Sequence, residues 1–145
     1  MDRVDVAIVR KRLLSALERS KQQAKERRRV ALEAQGQFDS FLEGRATPLA
    51  RQLAQALKAE GLPFTVYTPQ GGLRLASDHG RDDYVELSLD TAGAVPQVMG
   101  RSSYTRGSRT VTSERPISAG RAPSALTDDD VLDYFLDALE PWFER

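Results

Sequence analysis

One short run of the chain contains most of the residue types that could do acid–base or nucleophilic chemistry. Ser77, Asp78 and His79 are consecutive, and His79 is the only histidine among the 145 residues. A catalytic nucleophile, its base and the orienting acid must converge in space, each held by the next. Neighbours in a tight turn point in different directions, and Asp-His-Gly between two strands is typical of a turn. The sequence therefore predicts a solvated turn here and no catalytic residues.

Metal, phosphate and cofactor chemistry has no recognisable motif in the chain. Cysteine is absent, and the usual zinc ligands are cysteine and histidine. Asp82-Asp83 and Asp128–Asp130 lack the alternating acids, central glycine and terminal glutamate of a calcium-binding loop. Gly71-Gly72 lacks the Gly-Lys-Ser/Thr of a phosphate-binding loop. We therefore expect no metal, no cofactor and no enzymatic activity.

The segment Gly100–Arg109 is the best candidate for binding an anion or a nucleic acid. It carries Arg101, Tyr104, Arg106 and Arg109. Arginine suits phosphate or carboxylate groups, and a tyrosine ring could stack on a base. Two alternatives stay open, because the whole chain is rich in arginine and because charged edge strands protect a sheet from aggregation.

Charge is distributed unevenly along a chain whose net charge is zero. Residues 1–36 carry ten Lys or Arg and five Asp or Glu, whereas residues 124–145 carry one Arg and seven acids. Such opposite ends favour pairing within a chain or between chains. The run Lys25–Arg29 could instead follow a phosphate backbone. Arginine outnumbers lysine 17 to 4 and asparagine is absent, a composition that GC-rich codons produce, so we also predict a bacterial origin.

A long N-terminal helix is expected, because proline is absent from Val4 to about Gly44 and helix formers dominate. Steps of three and four residues from Val6 meet apolar residues at eight of eleven positions, close to a heptad pattern. A helix of about 40 residues would be roughly 60 Å long, so its apolar row needs a partner. Whether the helix breaks at Gly36 is left open. The pattern predicts an oligomer interface at Leu13, Leu17, Ala24, Ala31, Phe38 and Phe41.

Residues 46–145 are expected to form a single α+β domain, with residues 1–45 as a helical arm. Thr47 is predicted to be the N-cap of a short second helix, with Pro48 at its first position, and Gly61 is typical of its end. The hydrophobic period then changes from 3.6 to 2, which predicts an antiparallel meander of four or five strands. The expected strands are Phe64–Tyr67, Leu73–Leu75, Tyr84–Asp90, Gln97–Thr105 and Arg109–Glu114.

An amphipathic C-terminal helix is expected to pack on this sheet. Thr127 is predicted to cap it, with Asp128–Asp130 complementing the helix dipole. Five residues at i, i+3, i+4, i+7 and i+11 form its predicted apolar stripe: Leu132, Phe135, Leu136, Leu139 and Phe143. Val131, Ala138 and Trp142 widen this stripe, so one side of the helix should be almost fully buried. This stripe should cover Val85, Leu87 and Leu89 on the apolar face of the meander.

These patterns favour a non-enzymatic protein–protein interaction or assembly module that associates with itself or with another protein through its helices. Its size and mixed composition are similar to those of small bacterial adaptor and secretion-chaperone proteins, an analogy of class that carries no residues. The alternative is a nucleic-acid-binding protein that uses the basic helix and the Arg101–Arg109 hairpin. The N-terminal residues have no signal-peptide pattern, and no stretch approaches the roughly 20 apolar residues that span a bilayer. We therefore expect a cytoplasmic protein that does not enter membranes.

Overall fold

The computed structural model describes residues 5–144. The chain divides into two compact units, residues 1–33 and residues 34–145. The first helix, α1 (Val6–Phe41), is continuous through Gly36, which answers the question that the sequence left open. The division falls earlier than the expected boundary after residue 45, because Phe38 and Phe41 at the end of α1 already belong to the hydrophobic core of the second unit.

A helical backbone leads from α1 through a π-helical turn (Leu42–Ala46) into α2 (Thr47–Ala59). The predicted N-cap role of Thr47 is therefore wrong: Ala46 holds that position with helical φ and ψ, and it makes no side-chain cap bond. The Thr47 N–H instead donates to the carbonyl of Leu42, so α2 needs no capping side chain. The helix ends where expected, and Gly61 follows with φ +80°, a conformation that favours glycine.

Five antiparallel strands form one sheet in the order β1-β2-β3-β4-β5. This confirms the predicted α+β class and the predicted antiparallel meander, which has five strands, the larger of the two expected numbers. Every strand pairs with the next one along the chain. The short connections between the strands favour this arrangement, because only antiparallel strands can be joined by a tight turn. The strands are β1 (Phe64–Tyr67), β2 (Gly72–Ser77), β3 (Tyr84–Asp90), β4 (Gln97–Arg106) and β5 (Arg109–Pro116).

The core of the second unit lies between the helices and one face of the sheet. The sheet contributes the fully buried Leu73, Leu75, Val85, Leu87 and Val98, and Leu89 packs partly buried against them. The helix α3 (Asp128–Phe143) packs against β3 and β4 on this face. Thr127 caps α3 and forms a reciprocal capping box with Asp130, which confirms the predicted helix start.

The predicted apolar stripe of α3 is only partly correct. Phe135 and Leu139 are fully buried, but Leu136 and Phe143 are exposed. The buried side of α3 is rotated toward its large aromatic residues and consists of Val131, Tyr134, Phe135, Leu139 and Trp142. Two contacts explain this rotation. Trp142 meets the rings of Phe64 and Tyr104 edge-on at centroid distances of 5.6 and 4.9 Å, and Tyr134 fills the space over Gly100.

Gly100 allows α3 to approach the sheet closely. A Cβ atom at this position would lie 2.2 Å from Cζ of Tyr134, far inside van der Waals contact. Burial of the Tyr134 side chain raises the pKa of its hydroxyl to about 12. The ring also lies 4.8 Å from the guanidinium carbon of Arg115. The absence of a side chain at Gly100 of β4 therefore determines how closely α3 packs on the sheet.

Among residues 5–144, no helix is both long enough and apolar enough to cross a membrane.

Candidate interaction surfaces

A row of alternating charges crosses the sheet on the face opposite the helical core. Consecutive strand pairs align its members: Tyr67, Arg74, Glu86, Arg101 and Glu114. Nε of Arg74 donates to the Glu86 carboxylate at 2.7 Å, and its guanidinium carbon lies 4.0 Å from the centroid of the Tyr84 ring. Such cross-strand pairs of opposite charge stabilise a sheet. The row is therefore electrically balanced, and it holds Arg101 between two carboxylates.

The four residues of the predicted anion site do not share one surface. Arg101 belongs to the charged row, whereas Arg106 is paired with Arg109 at the tip of the β4–β5 hairpin. Since side chains alternate between the faces of a strand, Tyr104 and Arg106 lie on the face opposite to Arg101. Tyr104 additionally contacts Trp142. The hairpin thus presents two arginines together at its tip, and the third lies apart from them.

A cleft of about 550 Å³ lies between the β4–β5 hairpin and the end of α3. Its lining is mixed, with hydroxyl groups from Ser102 and Ser113 and apolar surface from Val111. Arg106 and Glu144 bring opposite charges to it.

The run that contains His79 forms the connection between β2 and β3. The Ser77 hydroxyl accepts a hydrogen bond from the backbone N–H of His79 at 3.2 Å, and Asp78 accepts one from the Thr65 hydroxyl at 2.6 Å. Asp83 is buried and accepts a bond from the Thr105 N–H at 2.7 Å. These bonds fix the turn and link it to neighbouring strands. The expected turn is confirmed.

The acidic start of α3 is occupied by ion pairs and capping bonds. Asp128 pairs with Arg45 at 3.1 Å, and Asp130 pairs with Arg121 at 3.0 Å. The Arg121 guanidinium, together with the N–H and hydroxyl of Thr127, lowers the pKa of the Asp130 carboxyl to about 2. Within residues 5–144, no group of three or more histidine, aspartate or glutamate side chains could hold a metal ion. Asp128 and Asp130 thus stabilise the start of this helix.

The first unit presents the largest set of exposed apolar residues in the described chain. Leu13 and Leu17, central to the predicted interface, are 56% and 48% exposed. Five more apolar side chains of α1 are exposed: Val6, Ile8, Val9, Leu14 and Leu32. Of these, Val6 and Val9 share the side of the helix that carries Leu13 and Leu17, at spacings of three and four residues. Isolated exposed leucines are ordinary, but a contiguous apolar area on a protein surface marks an interaction site.

The six predicted interface residues fall into two environments. Phe38 and Phe41 are buried in the core of the second unit, where their rings stack 6.1 Å apart. They are already covered by their own chain, so they do not form an exposed interface. Leu13 and Leu17 are exposed, and Ala24 and Ala31 are half-buried. Only these four, all before residue 34, are accessible to a partner.

Most of the basic residues on the first unit have no acidic partner among the described residues. Arg29 pairs with Glu26 at 2.6 Å and with Glu33 at 3.0 Å, and its guanidinium lowers the pKa of the Glu26 carboxyl. Eight others make no ion pair within residues 5–144: Arg10, Lys11, Arg12, Arg19, Lys21, Lys25, Arg27 and Arg28. The exposed apolar residues are therefore surrounded by uncompensated positive charge.

Comparison with models of known protein families, with curated proteins and with solved structures found no match to this chain. Its function must therefore be argued from its own surfaces.

Two features of these surfaces were not predicted from the sequence. The charged row across the sheet depends on strand register, which alternation alone does not give. The exposed side of α3, with Leu136 and Phe143, depends on how the helix is rotated against the sheet. In both cases the residues stand in the sequence, but their arrangement depends on contacts between elements that are distant along the chain.

Proposed function

We propose that this protein is a non-enzymatic assembly module that self-associates through the exposed apolar row of α1. This row is defined here as Val6, Val9, Leu13 and Leu17. The observation that carries the proposal is the exposure of all four side chains, from 48% at Leu17 to 81% at Val6. At three or four residues apart, consecutive members lie on neighbouring turns of one helix face.

The physical basis of the proposal is the free energy of removing this apolar row from water. Full burial of a valine or leucine side chain contributes about 1.5–3 kcal/mol. A single helix whose central residues are as polar as Glu18–Arg29 has little intrinsic stability in water. A partner that covers the apolar row would supply the packing that the helix lacks. Self-association therefore stabilises this segment.

Light scattering across a range of protein concentrations tests the proposal. We expect the wild-type molar mass to rise above the 16.1 kDa of one chain. The double variant Leu13→Glu/Leu17→Glu should stay at the monomer mass, because it places two charges in the proposed contact. A wild-type protein that stays monomeric at the highest concentration contradicts the proposal.

A matched control separates the apolar contact from the added charge. Ser15 and Gln22 lie on the side of α1 opposite to Leu13 and Leu17, given 3.6 residues per turn. Ser15→Glu/Gln22→Glu changes the net charge by the same amount. This variant should associate far more strongly than Leu13→Glu/Leu17→Glu. Equal loss of association in both variants would show that charge, and not the apolar row, controls the assembly.

Nucleic-acid binding is the second candidate, favoured by the eight basic side chains of the first unit that make no ion pair within residues 5–144. The hairpin supports it less, because Arg101 is separated from Arg106 and Arg109. Binding through phosphates would weaken steeply with salt. Lys25→Ala/Arg28→Ala should reduce the slope of log affinity against log salt concentration by about two units, close to one unit for each lost phosphate contact.

The bacterial origin and the cytoplasmic location of the protein stay predictions from the sequence.

A further inference from the structure

The outer side of α3 combines exposed apolar residues with acids. Leu136 and Phe143 are 40% and 47% exposed. Asp129, Asp133 and Glu140 are exposed as well, and helical spacing places them on the same side of α3 as these two apolar residues. We call these five residues the outer face of α3. It is distinct from the buried side, which faces the sheet.

The acids of this outer face lack partners among the described residues. Three other acids of α3 are paired, since Asp128 contacts Arg45, Asp130 contacts Arg121 and Asp137 contacts Arg115. Asp129, Asp133 and Glu140 make no ion pair within residues 5–144. No lysine or arginine occurs within α3 itself. The outer face therefore carries uncompensated negative charge beside exposed apolar surface.

The first unit carries the complementary pattern on α1. Arg10 and Lys21 flank Leu13 and Leu17 at spacings of three and four residues, so the four side chains share one side of the helix. Both basic residues are exposed and have no ion pair among the described residues. This side of α1 thus combines apolar and positive groups, whereas the outer face of α3 combines apolar and negative groups.

We propose that the outer face of α3 in a second copy of the chain covers the apolar row of α1. The inference rests on the proposed self-association and identifies the surface that accepts α1. Two copies of α1 packed together would bring two positively charged segments into contact, which opposes association. Packing of α1 on α3 pairs opposite charges and buries apolar groups from both helices. Reciprocal exchange between two chains would satisfy both copies of each surface in a closed dimer.

Salt distinguishes the two modes of assembly. Screening weakens attraction between opposite charges and also weakens repulsion between like charges. Association of α1 with α3 should therefore weaken as salt rises, whereas association of α1 with α1 should strengthen. The dissociation constant from sedimentation equilibrium, measured from low to moderate salt, gives the sign directly.

Charge exchange between the two helices is the sharper test. The variants Asp133→Lys/Glu140→Lys and Arg10→Glu/Lys21→Glu should each weaken association by about tenfold or more, because each replaces two attractions with repulsions. The chain with all four changes should associate within about threefold of the wild type, since its charges are complementary again. The control Glu60→Lys/Asp82→Lys makes the same charge change at exposed acids on other elements. It should weaken association far less than the α3 variant.

The outcomes separate the inference from the proposed function. If association is lost in Leu13→Glu/Leu17→Glu but unchanged in Asp133→Lys/Glu140→Lys, the assembly module stands and the α3 surface is wrong. A dissociation constant that falls as salt rises would likewise overturn the α3 contact alone. Failure of the fourfold variant to recover, with its fold intact by circular dichroism, would also contradict it. A wild-type chain that is monomeric throughout would overturn both proposals.

Discussion

The two units of the chain use apolar side chains in opposite ways. In residues 34–144, leucine, valine and aromatic side chains from helices and sheet form one core, and Phe38, Leu87 and Phe135 have no exposed surface. In residues 5–33, Leu13 and Leu17 are about half exposed. Since apolar burial is the main favourable term in folding, the second unit is stabilised by its own residues. The first unit leaves apolar side chains exposed to solvent.

The helix α1 belongs to both units and shows that periodicity alone does not distinguish them. The same three- and four-residue spacing connects Leu13 to Leu17 and Phe38 to Phe41. The phenylalanines are nevertheless core residues, while the leucines are exposed. A hydrophobic repeat therefore predicts a helix and its apolar side, but it does not predict whether the rest of the chain covers that side.

The largest expected effect comes from truncating one apolar side chain in each unit. Phe135→Ala should lower the free energy of unfolding by about 3–5 kcal/mol, because it leaves a cavity among fully buried neighbours. Leu17→Ala should change it by less than about 0.5 kcal/mol when measured on the monomer at low concentration. Chemical denaturation checks both values. Asp133→Ala, on the outer face of α3, is the control within the same helix and should leave the free energy of unfolding almost unchanged. Similar losses of unfolding free energy in Phe135→Ala and Leu17→Ala would contradict the distinction between the units.

A smaller effect is expected where the third helix meets the sheet. Gly100→Ala should destabilise the second unit by about 1–3 kcal/mol, because the added methyl group collides with the packed Tyr134 ring. The same substitution at Gly36 meets no atom within 4 Å and should stabilise the helix by about 0.5–1 kcal/mol. Thermal unfolding of the two variants measures the difference in sign. Destabilisation by Gly36→Ala would contradict a continuous α1.

The smallest expected effect is a pH dependence at the start of α3. Because the folded-state pKa of Asp130 is about 2, below its ordinary value of 3.8, its ionised form stabilises the folded state above pH 3.8. That contribution is lost as the pH falls toward 2. The stability difference between the wild type and Asp130→Asn should therefore shrink over this range. A difference that stays constant from pH 4 to pH 2 would show that Arg121 and Thr127 do not act on the charged carboxylate.

Local patterns predicted much of the fold because they depend on neighbouring residues. The alternation of Val85, Leu87 and Leu89 correctly located β3, and Thr127 followed by three aspartates correctly located the start of α3. The predictions that failed depended on distant contacts. Thr47 needs no capping role because a π-helical turn precedes it. The buried side of α3 follows from Gly100 on β4 and from the aromatic neighbours of Trp142.

The candidate site was predictable only in part, for the same reason. The apolar row around Leu13 and Leu17 and the basic character of α1 could be read from spacing and composition. Separation of Arg101 from Arg106 and Arg109 required the register of β4 and β5. Recognition of the outer face of α3 required both the rotation of the helix and the knowledge of which acids are paired. The side-chain pattern of a single helix can thus be predicted from the sequence, whereas a surface that depends on how elements pack together cannot.

Backbone hydrogen exchange in residues 5–33, compared at two protein concentrations about a hundredfold apart, tests the central claim most directly. If the apolar row of α1 is an assembly surface, exchange there should slow markedly at the higher concentration, while exchange in the core strands β2–β4 changes little. Leu13→Glu/Leu17→Glu should remove the concentration dependence. Equal exchange in residues 5–33 at both concentrations would contradict the account.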